Sequence, residues 1–476
     1  MDELRVDQEV RRLLDQAQIP MREQWHRRVL DGAAGMRSRR GPRRRWALAI
    51  APVAALGLWF VAQHALAPPS PPVGRMAAPA RDGRRCLAVL DDPMVASDVS
   101  RGGISWFPDG RAITYTTIGD SWFDADDVQH GTRRLWWLGL AAGEKRLLTQ
   151  ESGTAVLHNV QVAPTGDRLV YLEGRHLKVV GVETGKQTVV PKSFGARLGA
   201  WSPDGTYLAF ARSAGNDEFG NVALNDRGIW VWSTATGDLT KVVAFPAEAR
   251  GPDEGSLWGP YWSPDGDWLA FVWQTAERTE QQDLFAYRSE IRLVHPDGSD
   301  PQTIVTIRRA PDNAELLGNQ CWSPDSRALV FSWREALGKA AWQWDAVSHS
   351  WAPPAAAYAE RGVTELDITT GQMMSLVSAD AFEPGTRFWH RPAWSPQKNA
   401  VAFAAMRPDS HTDSLYATAA GSGTVLTVAD ATDDTSYGGP VWSPDGESLL
   451  YLKGIRSADG SEARAELWLV RLGEGE

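Results

Sequence analysis

Three carboxylates in a run of four, Asp124, Asp126 and Asp127, are the densest set of hard oxygen donors in the chain, and hard donors suit a calcium ion. A complete calcium loop needs further donors downstream and a glycine at its sixth position, where Gln129 stands, so the plainer reading is a solvated acidic rim. Three indoles, Trp342, Trp344 and Trp351, lie close to Pro353 and Pro354. Such rings either pack a long loop onto its own support or grip a sugar or a peptide. No Ser lies in a G-x-S-x-G elbow and no H-E-x-x-H occurs, while Gly181-Val-Glu-Thr-Gly-Lys186 is too short for a phosphate loop. The nine His form no ligand-spaced pair, and Cys86 and Cys321 lack the spacing of a zinc or redox motif. The residues therefore assign no catalytic group, no metal and no cofactor; they offer binding loops, and the question becomes what holds them.

The holder is a repeat. Trp201-Ser-Pro-Asp-Gly205 recurs intact at 262–266 and 442–446, with weaker copies at 106–110, 322–326 and 394–398 and an eroded one at 162–166. The motif encodes a hairpin: Trp ends a buried strand, Pro presets φ, Asp bonds back to the turn, and Gly takes the left-handed position. Apolar runs of strand length follow, as in Tyr207-Leu-Ala-Phe-Ala-Arg212 and Ala400-Val-Ala-Phe-Ala-Ala405. A third run comes next (228–233, 290–295, 466–471), then a Gly turn and a fourth (302–305). Four antiparallel strands per unit, repeated, predict an all-β chain, a seven-bladed β-propeller, with six blades if Ala163–Gly166 is not a true copy. The last unit lacks a fourth strand before the sequence ends, and the run Arg85–Leu90 has the length to fill it, which closes the ring with strands from both ends.

With 476 residues, 23 Trp and 44 Gly, the composition favours large packed rings and many turns. The net charge of −10 hides two parts: residues 1–45 hold 12 Arg against seven acids, whereas the remainder holds 37 basic against 52 acidic residues. That balance argues against a nucleic-acid partner for the main body. Residues 46–66 run 21 positions without a charge, about 31 Å as a helix, enough for one bilayer crossing. Six Arg crowd positions 37–45, and no charge follows the span until Arg75, so the N-terminus is expected in the cytoplasm and the rest outside. A cleaved signal peptide is the rival, but its lead is too long and Pro68 follows its cleavage site. Residues 1–45 form a basic segment with helical spacing at Val6, Val10, Leu13, Leu14 and Ala17; residues 67–84 form a Pro-rich stalk; residues 85–476 form the propeller.

These W-S-P-D-G hairpins, with their I/L-A-F second strands, resemble the repeats of the TolB-type propeller, a WD40-like repeat also seen in the propeller domains of prolyl-oligopeptidase-like and tricorn-type proteases. The resemblance covers roughly residues 85–472 and implies the fold; it carries no function over, because the repeat residues are those that build blades. In such a blade the first-to-second and third-to-fourth turns share one face, while second-to-third loops and the links between blades share the other. Here the second set is elaborated, at 118–132, 213–227, 274–288, 334–361 and 453–465, with links 245–257, 306–316 and 377–388. Long loops on a rigid support are the expected binding surface. The expected function is a membrane-anchored extracytoplasmic module that binds a protein, peptide or glycan. The alternatives are a transmembrane signal transducer resembling anti-sigma-factor-like proteins, with a partner on residues 1–35, and a hydrolase or lyase using the insertion face.

Overall fold

The structure is a computed structural model that describes residues 83–90, 103–123, 129–153, 157–173, 176–212, 226–245, 255–280, 282–311, 316–338, 343–345, 350–352, 357–388, 390–408, 412–456 and 462–472. The chain divides into two compact units, Met1–Ser70 and Pro71–Glu476, and all described residues belong to the second. Among them no helix is long and apolar enough to cross a membrane; residues 46–66 lie outside them.

The second unit is built of antiparallel sheets with one short 3-10 turn at Ala379–Ala381 among the described helices. Five of the sheets have four strands each, and one has seven. In chain order they form meanders, lettered here A (104–153), B (157–189), C (196–244), D (256–309), E (322–377), F (393–429) and G (435–471). D and E merge into the seven-stranded sheet through one pairing, Arg309 with Glu335. G takes its outermost strand from the other end of the described chain, Arg84–Leu90 lying antiparallel to Glu462–Arg471, as the run Arg85–Leu90 led one to expect.

Continuous apolar runs form the second strands because both of their faces are covered. In Tyr207–Arg212, Leu208 and Phe210 pack toward B with Val170, Leu172 and Leu177, while Ala209 and Ala211 pack toward D with Leu257 and Phe271. The same arrangement repeats around the body. A meets B through Leu135, Leu169 and Tyr171, D meets E through Val272, Phe331 and Leu366, and E meets F through Val330, Val363 and Phe403. F meets G through Leu415, Trp442 and Tyr451, and G meets A through Leu467, Leu90, Ile113 and Tyr115, so the sequence of cores returns to its start.

The motif Trp does more than end a strand. Its indole N–H reaches the innermost strand of the preceding meander and donates to the carbonyl just before that meander's own motif position. Trp201 Nε1 donates to Gln161 O (3.2 Å), Trp262 to Ala200 O (2.9 Å), Trp322 to Tyr261 O (3.1 Å), Trp442 to Ala393 O (2.9 Å), and Trp106 to Val441 O (3.3 Å) across the seam from A back to G. B carries Val162 at this position and cannot join, and the buried Trp394 Nε1 of F has no hydrogen-bond partner. Within each full motif, Ser and Asp build the turn. Ser202 Oγ donates to Asp204 Oδ1 (2.5 Å) and accepts from Tyr207 N (2.9 Å), while Thr206 N donates to Asp204 Oδ1 (3.0 Å). The set repeats at Ser263 with Asp265 and at Ser443 with Asp445. Ser326 stands in E where the turns of A, B, C, D and G have Gly and holds a left-handed φ of 60°, and its hydroxyl accepts from Asp265 N of the neighbouring turn (3.1 Å).

Candidate binding face

An antiparallel meander puts its first-to-second and third-to-fourth turns at one end and its second-to-third connection and outgoing link at the other. The motif turns stand side by side along one rim. A Cβ at Gly205 in C would sit 3.1 Å from Thr165 in B, and one at Gly166 in B would sit 3.5 Å from Pro108 in A. The opposite rim therefore carries the insertions, and it is the candidate binding face.

Several insertions read as loops in the sequence are strands, and this corrects the expectation. Ala112–Phe123 pairs with Gln129–Gly139 in A, Leu269–Arg278 with Leu284–Val294 in D, Ala328–Ala336 with Tyr358–Asp367 in E, and Ser448–Arg456 with Glu462–Arg471 in G. The link 306–316 likewise begins as strand, since Gln302–Arg309 runs on along its partner. The physical reason is that backbone polar groups leaving the body need partners, and a hairpin supplies them pair by pair.

On D and E the extensions zip together into a raised platform. Phe285, Ala286, Ala336 and Ala357 make a small core of their own, with Tyr358 against it. Tyr358 donates its hydroxyl to Phe285 O (2.8 Å), Arg308 pairs with Glu277 (2.5 Å) and donates to Ala336 O, and Arg361 pairs with Glu335. Arg309, 1 % exposed, donates to Ser289 Oγ and lies 4.9 Å from the Tyr287 ring centroid. These partners join the two extensions, and Leu337, the residue after the strand Ala328–Ala336, is 56 % exposed.

Two polar clusters lie near this rim. His390 Nε2 is 3.2 Å from Asp413 Oδ2, and Asp413 N donates to Ser436 Oγ (2.9 Å), whose hydroxyl faces the same carboxylate. A nucleophile relay needs the imidazole between hydroxyl and carboxylate; among these three groups the carboxylate is in the middle, which fastens the links around F. In the cleft between A and B, Lys178 pairs with Glu173 (2.6 Å) and Glu151 (3.6 Å). Burial and then the neighbouring Glu173 push the Glu151 carboxyl up, against the pull of Lys178, and burial followed by the Glu173 charge pushes the Tyr171 hydroxyl up.

Of the residues singled out in the sequence, Asp124, Asp126, Asp127 and Trp342 lie outside the described residues. Trp344 and Trp351 are brought together as backbone partners in a two-stranded ribbon, Gln343–Asp345 with Ser350–Ala352, inside the insertion of E. Among the other rim acids, Asp226 pairs with Arg212 (3.6 Å) and Asp430 accepts from Ser414 Oγ (3.0 Å). Among the described residues no three His, Cys, Asp or Glu side chains gather as a metal site would require. The D and E platform was missed in the sequence. Its trace in the sequence is that the insertions at 274–288 and 334–361 fall in consecutive units.

No family model and no curated protein matches the sequence. Among solved structures, an oligogalacturonate lyase in complex with manganese is 17 % identical with a TM-score of 0.50, covering 84 % of this chain and 96 % of its own. The oligogalacturonate lyase of Vibrio parahaemolyticus is 12 % identical with a TM-score of 0.51 over the same shares. TolB from Acinetobacter baumannii aligns at 14 % identity over 77 % of this chain and 81 % of its own, with a TM-score of 0.35, too low to argue from. At these identities the lyase likeness speaks to fold alone: the chain is all-β and similar to proteins of propeller-like fold.

Proposed function

We propose that the chain is a membrane-anchored, extracytoplasmic seven-bladed propeller whose insertion face binds a protein, peptide or glycan partner. The cyclic order of the cores, A on B through to G on A, supports seven blades, as does the indole bond from Trp106 to Val441 across the seam. The uncharged stretch 46–66 behind its Arg cluster supports the anchor and its orientation. The observation that carries the binding role is the joined extension of D and E, an ion-paired projection on the insertion rim that exposes Leu337 and Arg288.

The test places a photo-crosslinking residue, in the full-length chain in its native membrane, at Leu337, Arg288 or Tyr207. Discrete adducts at Leu337 and Arg288 and none at Tyr207, which follows a motif turn at the opposite rim, are expected. Adducts at all three or at Tyr207 alone overturn the assignment of the face, and recovery of the intact chain without detergent overturns the anchor. A second reading, a transducer that couples this face to a partner of residues 1–35, is favoured by the helical spacing of Val6, Val10, Leu13, Leu14 and Ala17. Deleting residues 1–35 without any change in transcriptional output removes it.

A further inference from the structure

Each meander ends in an outermost strand, and an outer edge left open invites a further strand unless something blocks it. Most of these edges are blocked. The outer strands of A, C, D and G carry Lys145, Lys241, Arg308 and Arg84, that of B is three residues long with Pro191 just beyond it, and in F the carbonyl of Val428 accepts from the Arg84 guanidinium. The exception is Met373–Val377 in E, the end strand of its sheet, whose residues MMSLV include no charge and no proline. Met373 and Met374 are 39 % and 52 % exposed, and among the described residues no strand pairs with their outer side.

Beside this edge stands a carboxylate with nothing to answer it. Glu365, on the neighbouring strand, is the direct partner of Met374, so the two side chains share one face of the sheet. Glu365 is half-buried and makes no hydrogen bond or ion pair among the described residues. Burial, then Asp325 and then Asp367, all push its carboxyl up, and no cation opposes them. The two neighbouring acids are answered locally: Asp325 accepts from Ser323 Oγ and Arg327 N, and Asp367 from Thr369 N and Thr370 N. A residue on a strand added beyond Met374 would stand two strand spacings, about 10 Å, from Glu365. The stem of a lysine closes that gap by lying across the Met374 side chain, with its ammonium at the carboxylate. We propose that the open edge of E, Met373–Val377, takes an extended segment of a partner protein as an added strand, with a lysine or arginine of that segment paired to Glu365. Main-chain bonds supply the affinity, and Glu365 selects the basic residue. The surface is the outer side of E, so this inference does not rest on the insertion face.

The test is amide hydrogen exchange of the full-length protein in detergent, read by mass spectrometry, with and without a short peptide of alternating valine and lysine. Saturable slowing is expected at 372–377 and not at the outer strands Gln187–Val189 and Val425–Ala429. Glu365→Gln should weaken the peptide about fivefold and make its affinity less sensitive to salt, the scale of one partly exposed charge pair. Met374→Lys, which puts a blocking charge at an already exposed position, should abolish the slowing while leaving the urea midpoint unchanged. Equal slowing at 187–189 and 425–429, or unchanged affinity in Glu365→Gln, overturns the proposal. A peptide of alternating valine and glutamine that binds as tightly overturns the role of the basic residue. If exchange at 372–377 is already slow without peptide and becomes fast in Met374→Lys, the edge is occupied in the protein itself and the proposal falls; a halved mass by light scattering in that variant then assigns the edge to a second copy, and an unchanged mass to the chain's own residues.

Discussion

Trp394 and Trp442 occupy the same position of consecutive meanders, are 3 % and 1 % exposed, and differ in one respect: the indole of Trp442 donates to Ala393 O at 2.9 Å, whereas that of Trp394 has no acceptor. Replacing each by Phe removes a similar volume, so the cavity cost is common to both and cancels in the comparison. Trp442→Phe also leaves the buried Ala393 carbonyl without its indole donor, at about 1–3 kcal/mol. Trp394→Phe loses no bond and deletes a buried, unmatched N–H, which recovers part of its cavity cost. The expected gap is therefore about 1–3 kcal/mol, with Trp442→Phe the weaker protein. Urea unfolding followed by far-UV circular dichroism measures it: the midpoint of Trp442→Phe should fall well below that of Trp394→Phe at unchanged slope. Equal midpoints, or a lower one for Trp394→Phe, would refute the claim that the motif indoles staple one meander to the next.

Four further outcomes follow from the same structure. Leu90→Ala, in the strand borrowed by G and packed with Ile113 and Leu467, should cost about 2–4 kcal/mol by urea titration, against under about 0.5 for the exposed Val89→Ala beside it. Phe285→Ala should cost about 3 kcal/mol or more locally, seen as faster amide hydrogen exchange at 276–288 and 335–337, with exchange in meanders A, B and G unchanged. At Asp204 burial pushes the carboxyl up, but the bonds from Ser202 Oγ, Thr206 N and Thr206 Oγ1 outweigh it and hold the group below the ordinary aspartate range. Its contribution is therefore present above about pH 4 and lost as pH falls further, so an acid titration of stability should be shallower in Asp204→Asn. Glu151 shifts the opposite way: the folded state holds the proton more tightly, stability falls as pH rises through its range, and Glu151→Gln should raise the melting temperature at pH about 7 but not at pH about 4.

Local chemistry made much of the fold legible. Ser202, Pro203, Asp204 and Gly205 specify their turn through bonds within a few residues, and the run Tyr207–Arg212 specifies a strand covered on both faces. Arg85–Leu90 could be assigned to the far end of the chain because an open sheet edge needs a partner. The candidate site was less legible. The platform depends on two hairpins from different units meeting through Arg309 and Glu335, and Lys192 and Lys241 reach Trp230 from separate segments. Nothing in the spacing of those residues announces their proximity.

The sequence by itself determined the repeat, the strand and turn chemistry, the charge asymmetry between front and body, and the uncharged stretch at 46–66, because each rests on neighbours in the chain. Only the tertiary structure decided that the motif Trp side chains bond across meanders, that insertions on D and E extend as one sheet, and that Lys192 and Lys241 share the Trp230 ring. Those features depend on which meander lies beside which, and that is fixed by packing once the ends of the described chain pair through Arg84–Leu90.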